Sequence, residues 1–354
     1  MSKKVIWIAL AIVVIGGVLA FPKISLYLSS RTLSDNSAQV DFFIDKSLSL
    51  EELAEALKKE GVISNTNAFI KVGEYKELTK ENIALGKYII EPGTQYRTLL
   101  NGFKLNAAGN GNGEAEVTVT FANCRDIFQM AGKASANVMM DSAVLVAYLT
   151  NSQTLNKYGF TKEQIPAMFL PNTYKMYYDT DEKQFVDRMA TEFKNFWTPA
   201  RKTKLKEIGL KSPSQAVTLA SIVYSEQSRR ADEWPIIAGL YLNRIKQGIK
   251  LQSDPTFKYC WGDELDGVQR LLYVHRDIDC EYNTYKINGL PPGPICIPPS
   301  GVVDAVLNRD NNKFIFMMAK PDYSGYHDFA VDYSDHERYA KIYQAWLSKE
   351  QANN

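Results

Sequence analysis

The stretch SPSQAVTLASIVYSEQ, running from Ser212 to Gln227, is where the reading of the chain begins. Ser212 stands at an N-cap, Pro213 at the first helical position and Gln215 at N3, a combination that opens a helix. Along that helix Ala216, Leu219, Ala220, Val223 and Glu226 follow the i, i+3, i+4, i+7, i+10 spacing. They share one face, and it is apolar until its last member. A carboxylate closing a buried stripe costs free energy unless it is paired or protonated. Burial favours the neutral acid, which is the form a general acid needs near neutral pH. The competing reading is that the helix has already surfaced and Glu226 only pairs with Arg229 or Arg230.

Downstream, a second helix is expected to begin near Pro235 and stop before Gly248. The segments Leu251–Tyr259 and Tyr282–Ile295 are rich in Pro, Gly, Asn and Tyr and read as ordered loops. Phe314, Phe316 and Met318 alternate as a strand, and a second strand is expected near His327 to Val331. Ser334 to Glu337 spells a capping box that opens a terminal helix through Trp346. Upstream, Ala115 to Phe121 reads as a strand, and Arg125 to Gly209 as mostly helical, with an irregular break at Ala167 to Tyr174. Asn106 to Gly113 (NAAGNGNG) reads as a flexible joint. Before it, a strand at Val40–Ile44, a capped helix from Ser49, a helix over Thr66–Val72 and a strand at Lys87–Ile90 make a small β-α-α-β module, closed by a helix over Gln95–Phe103. The fold class expected is therefore α+β: a small module and a larger mixed helix/strand domain.

Composition narrows the function. Lys and Arg total 41 against 40 Asp and Glu, a formal charge of +1, so the basic face of a nucleic-acid binder is not expected. Three histidines (His275, His327 and His336) are too scattered for a metal site or a Ser-His triad, and His327 reads as structural or as a rim contact. The four cysteines match no zinc spacing. Cys260 and Cys280 bracket one short stretch and are the favoured pair should the domain lie outside the cytoplasm; four unpaired thiols are the alternative.

The N-terminus bears on location. Lys3 and Lys4 precede an uninterrupted apolar run, residues 5–21, just long enough to cross a hydrocarbon core. Basic residues before it place the N-terminus in the cytoplasm and the rest outside. A signal peptide cleaved after Val18-Leu19-Ala20 is the competing reading; the length of the run favours a retained anchor.

Four motifs occur in a telling order: FLPNTY (Phe169–Tyr174), LASIVYSEQ (Leu219–Gln227), YLNRIKQGIKLQSDPTFKY (Tyr241–Tyr259) and YNTYKINGLPPGPI (Tyr282–Ile295). Through them the chain resembles, over essentially its whole length, the MltG-type (YceG-like) endolytic murein transglycosylases. The resemblance implies a transmembrane anchor at residues 1–22, a spacer at 23–38, a LysM-like module at 39–105, a linker at 106–113 and a catalytic domain at 114–354. It implies a cytoplasmic-membrane enzyme with its catalytic domain in the periplasm or otherwise outside, acting on peptidoglycan glycan strands near the synthases that make them. The family's catalytic glutamate falls on Glu226. Where the family often has a second acid two residues earlier, this chain has Tyr224, which speaks against a two-carboxylate scheme.

Lytic transglycosylation needs one such group. The acid protonates the bond between N-acetylmuramic acid and N-acetylglucosamine, and the muramic C6 hydroxyl closes on C1 to give a 1,6-anhydro end. Intramolecular attack has a high effective molarity, so neither a protein nucleophile nor a cofactor is implied. Gln252, Ser253 and Asp254, with Asn283, Thr284 and Tyr285, are the expected substrate-binding residues, the alternative being that both clusters only brace their loops. Asn243 and Arg244 are as suited to bracing as to touching glycan. Two other functions compete: a muramidase with Glu226 as acid and Asp254 or Glu233 as partner, and a non-catalytic peptidoglycan-binding scaffold.

Overall fold

Two separate apolar cores organise the chain. The computed structural model describes residues 3–32, 38–265, 267–268 and 272–353. The first unit takes in residues 1–119, 137–140 and 174–181, and the second 120–136, 141–173 and 182–354.

In the first unit, α1 (Lys3–Ser29) is followed by β1 (Val40–Ile44), α2 (Leu50–Lys59), α3 (Thr66–Tyr75), β2 (Gly86–Ile90), α4 (Tyr96–Phe103) and β3 (Glu116–Phe121), whose end enters the second unit. Strands β1 and β2 pair antiparallel, Val40 opposite Ile90 and Ile44 opposite Gly86, which gives the expected β-α-α-β order. Helix α2 starts as its sequence dictates: Ser49 Oγ accepts from Glu52 N (3.2 Å) and Glu52 Oε2 accepts from Ser49 N (2.7 Å). Ile44, Leu53, Leu57, Phe69, Leu100 and Phe103 are fully buried between these elements.

Two expectations fail here. The segment 23–38 was read as a spacer, but α1 runs to Ser29, through Pro22; residues 33–37 lie outside the described residues. Among the described residues no helix is long and apolar enough to cross a membrane. The segment 106–113 was read as a linker, but it folds back on its own unit, with Gly113 N bonded to Gly102 O (2.9 Å) and Asn112 N to Lys104 O (3.1 Å). Two of its glycines serve close approach: a Cβ at Gly111 would collide with the Tyr88 hydroxyl, and one at Gly113 would lie 2.9 Å from the Gly102 Cα. The chain passes to the second unit after Val119 instead.

The chain continues with α5 (Ile127–Ala134), α6 (Ser142–Thr150) and α7 (Ser152–Tyr158) of the second unit, and with β4 (Asn172–Tyr177), which pairs with β3 and belongs to the first unit from Tyr174 on; the second unit resumes with α8 (Glu182–Phe196), α9 (Pro199–Glu207), α10 (Pro213–Glu226), α11 (Trp234–Lys246), α12 (Asp254–Trp261), α13 (Tyr273–Arg276), α14 (Ser300–Leu307), β5 (Phe316–Ala319), β6 (His327–Ala330) and α15 (Tyr333–Asn353). Helix α10 is its centre. Ser212 Oγ caps Gln215 N (3.3 Å), while the Gln215 side chain takes Lys211 N (2.8 Å). Every residue from Ala216 to Val223 is buried, so the helix is enclosed on all sides rather than on the single stripe its spacing shows. Its hydroxyls are satisfied locally: Thr218 donates to Ser214 O (2.8 Å) and Ser221 to Thr218 O (2.7 Å).

Three local readings are corrected. The end of the segment expected as irregular, Asn172–Tyr174, opens strand β4, which runs on to Tyr177 where helix was expected, with Tyr174 and Met176 buried on one face. Most of Leu251–Tyr259, expected as an ordered loop, falls in helix α12 (Asp254–Trp261), with Pro255 in its first turn. The terminal helix begins at Tyr333, so Ser334 lies inside it and does not cap it.

Cys260, near the end of α12, is bonded to Cys280, which closes a loop 20 residues long. Cross-linking a loop of that size stabilises by about 3 kcal/mol. Cys260→Ser should therefore lower the urea-unfolding free energy by about 3 kcal/mol under oxidising conditions, and reductant should remove most of the difference from wild type.

Candidate active site

Glu226 is the last residue of α10, where the unpaired carbonyls of a helix end further disfavour an anion. Its Oε1 accepts from the Tyr241 hydroxyl of α11 (2.7 Å) and from Ser253 Oγ (2.5 Å). Both recorded donors sit on one oxygen, which leaves Oε2 to carry a transferable proton. Burial raises the Glu226 pKa, and the charge of Asp254 adds to the rise; the bonds from Ser253 and Tyr241 and the nearby His327 oppose it. The residue is half-buried and reaches solvent through a cleft.

Ser253 shows how the sequence is bent to this purpose. It occupies the N-cap of α12, yet its hydroxyl makes no cap bond and turns to Glu226. Giving up a serine cap costs about 1 kcal/mol. A local rule broken in favour of a buried carboxyl marks a functional position.

The other expected residues separate into two groups. Asp254 Oδ1 accepts from the Tyr285 hydroxyl (2.6 Å), and both residues are half-buried. Gln252 is exposed at a left-handed φ of 52°, and Arg244 grips its side-chain oxygen (2.5 Å). Asn283 and Thr284, by contrast, have no exposed surface. Asn283 donates to Arg276 O (2.6 Å) and Ile278 O (2.9 Å), and Thr284 Oγ1 accepts from Ser253 N (3.0 Å). These two hold the loop under Ser253, and their side chains offer nothing to a ligand. Arg244 also ties Lys250 O and Ile315 O, and Asn243 binds Asn312 O and Phe314 O, so both brace loops.

Tyr241 was not singled out from the sequence. A tyrosine inside the apolar run Ile237–Leu242 needs a partner for its hydroxyl once buried, and that was the available signal. A second cluster also escaped notice. Glu233, 4 % exposed, accepts from Gln227 Nε2 (2.7 Å) and His327 N (2.8 Å), and its Oε2 lies 2.8 Å from His327 Nδ1.

Two clefts flank the end of α10. One, of about 470 Å³, is lined by Tyr224, Ser225, Ser228, Arg125, Lys258 and Tyr259 among others. The other, of about 330 Å³, is lined by Glu226, Ser228, His327, Tyr326, Lys320 and Trp346 among others. Ser228 borders both.

Fold and site together describe an α+β protein whose largely buried Glu226 carboxyl opens on one of two clefts beside the end of α10. The profile of the YceG-like family matches residues 42–342, and the chain belongs to that family. It is 27 % identical over 322 residues to the endolytic murein transglycosylase of Bacillus subtilis (strain 168), covering 87 % of this chain and 85 % of that one. With the endolytic murein transglycosylase of Streptococcus pneumoniae serotype 2 (strain D39) it shares 23 % identity over 321 residues, 83 % of this chain and 56 % of the relative. A crystal structure of a yceG-like protein from Listeria monocytogenes has the same fold, with a TM-score of 0.54 at 21 % identity over 85 % of this chain and 98 % of that one.

Two outcomes follow from the setting of Glu226. Tyr241→Phe removes a bond that favours the anion, so the pKa should rise further. If the protonated carboxyl is the active form, the alkaline limb of the pH–rate profile then moves to higher pH. The second outcome concerns stability. A carboxyl whose folded pKa is raised stabilises fully only below its unfolded value, and that contribution is lost as pH rises through the folded pKa. Glu226→Gln should thus raise Tm relative to wild type at alkaline pH, with the gap closing in acid.

Proposed function

We propose that the chain is an endolytic peptidoglycan lytic transglycosylase with Glu226 as its acid. The observation that carries this is the Glu226 carboxyl, its pKa raised by burial, with both donors on Oε1 and a cleft on either side of its segment. The relatives' names supply the substrate. Glu226 protonates the oxygen linking muramic acid to glucosamine. The muramic C6 hydroxyl closes on C1, and the proton it releases restores Glu226. The chemistry consumes no water.

A two-carboxylate hydrolase is less well supported. The sequence-level partners are both engaged: Asp254 by the Tyr285 hydroxyl and Glu233 by Gln227 and His327. Gln252, Asp254 and Tyr285, which keep exposed surface, are the proposed glycan contacts from the loops. Segments on both sides of the acid suit cutting within a strand rather than at its end.

The location proposed is the outer face of the cytoplasmic membrane, anchored by residues 5–21. Two observations support it: lysines before the apolar run, and the Cys260–Cys280 bond, which suits an oxidising compartment. The β-α-α-β module is proposed as a LysM-like glycan-binding element, and synthases of the same strands as neighbours.

Digestion of purified glycan strands, with the ends identified by mass spectrometry, is the test. Wild type should release 1,6-anhydromuramyl ends, and Glu226→Gln should lose about 10²–10⁴-fold in rate while remaining folded. Ends bearing added water, or an unimpaired Gln variant, would refute the proposal.

A further inference from the structure

The lone-acid scheme leaves one feature of the second cleft unused. Beneath it lies Glu233, on the 3-10 turn between α10 and α11, buried and bonded to Gln227 and His327. Two N–H groups, Gln227 Nε2 and His327 N, already donate to the carboxylate, and an ionised carboxylate only accepts, so the hydrogen between it and His327 Nδ1, 2.8 Å away, belongs to the ring. In the neutral ring this contact selects the tautomer in which Nδ1 donates downward and Nε2 keeps its lone pair. Among the described residues nothing hydrogen-bonds Nε2, and His327 shares its cleft with Glu226. A buried carboxylate that orients an imidazole, whose other nitrogen remains available, is the arrangement that makes a histidine a base. Gln227 ties this pair to the acid: it follows Glu226 directly, donates to Glu233 Oε2 and lies 3.5 Å from His327 Nδ1. An exposed ion pair at this place would need none of these bonds.

We propose that His327, oriented by Glu233, takes the proton from the attacking sugar hydroxyl and passes it to Glu226. The proposal rests on the lyase reading above and adds to it the route of the returning proton. The O6–H proton passes to His327 Nε2, and O6 bonds to C1 as the bond from C1 to the linking oxygen breaks. The Glu226 proton goes to that departing oxygen. The imidazolium then gives its proton to the Glu226 carboxylate, so no water, metal or other reactant is consumed. Glu233 touches no reacting atom and is a positioning residue. The other charged or titratable groups lining the cleft are Arg229 after α10, Lys320 after β5, Tyr323 and Tyr326 in the β5–β6 turn, and Tyr343 of α15.

The pH dependence of kcat on purified glycan strands separates this route from direct return to Glu226. A protonated acid alone gives one limb, falling as pH rises; a neutral base working with it adds a second limb on the acid side. Wild type should therefore show a bell. His327→Asn should lose the acid limb and about 10²-fold in kcat, with KM little changed and Tm close to wild type. Glu233→Gln should lower kcat about 10-fold with KM little changed, since the ring loses the carboxylate that orients it. It provides the reading should His327→Asn fail to fold. A wild-type profile with no acid limb, an acid limb that survives in His327→Asn, or an unchanged kcat in Glu233→Gln would overturn the proposal. Failure of the lyase reading itself looks different, because wild type would then form no anhydro ends at any pH.

Discussion

Everything in the second unit depends on holding one carboxyl at the end of a buried helix without letting it ionise at the usual carboxylate pH. An unpaired carboxylate there would cost several kcal/mol. The structure meets this cost with two hydroxyl donors on Oε1, from Tyr241 and Ser253, which temper the rise in pKa without cancelling it. The acid is thus poised rather than simply buried. Each donor is fixed in turn: Tyr241 by the packing of α11, and Ser253 by its backbone bond to Thr284 Oγ1.

The loops on either side serve that constraint. Asn283 is consumed in bonding the backbone of residues 276 and 278, which shapes the turn that supports Thr284. A Cβ at Gly293 would lie 1.9 Å from Glu163 O, so only glycine lets the GLPPGPI segment pack where it does. Ile295 N then reaches Ser221 Oγ inside α10 (3.0 Å), tying this loop to the helix that carries the acid. The disulfide fixes the outer loop, and Arg125 pairs with Asp263 at its base. Rigid support of this kind is what keeps an acid within reach of its substrate oxygen.

Much of this was legible in the sequence. The helix from Ser212, the β-α-α-β module and the buried setting of Glu226 followed from spacing and capping residues. The failures have physical reasons. Pro255 was taken as a loop signal, although proline is equally at home in the first turn of a helix. The glycines of Asn106–Gly113 suggested flexibility, but two of them permit contact, a distinction that spacing does not carry. Asn283 and Thr284 were expected to face substrate because their side chains are polar. The fold spends those groups on its own backbone, and only three-dimensional contacts reveal that. Glu233 and His327 are 94 residues apart, so no local pattern could join them.

The most direct test is to measure the titration of the Glu226 carboxyl itself, by carbon-13 NMR or difference infrared spectroscopy against Glu226→Gln. A midpoint above the ordinary glutamate value of about 4.3, moving higher still in Tyr241→Phe, is the predicted result. A midpoint at or below that value would mean an acid already ionised in the working enzyme, and would contradict the account.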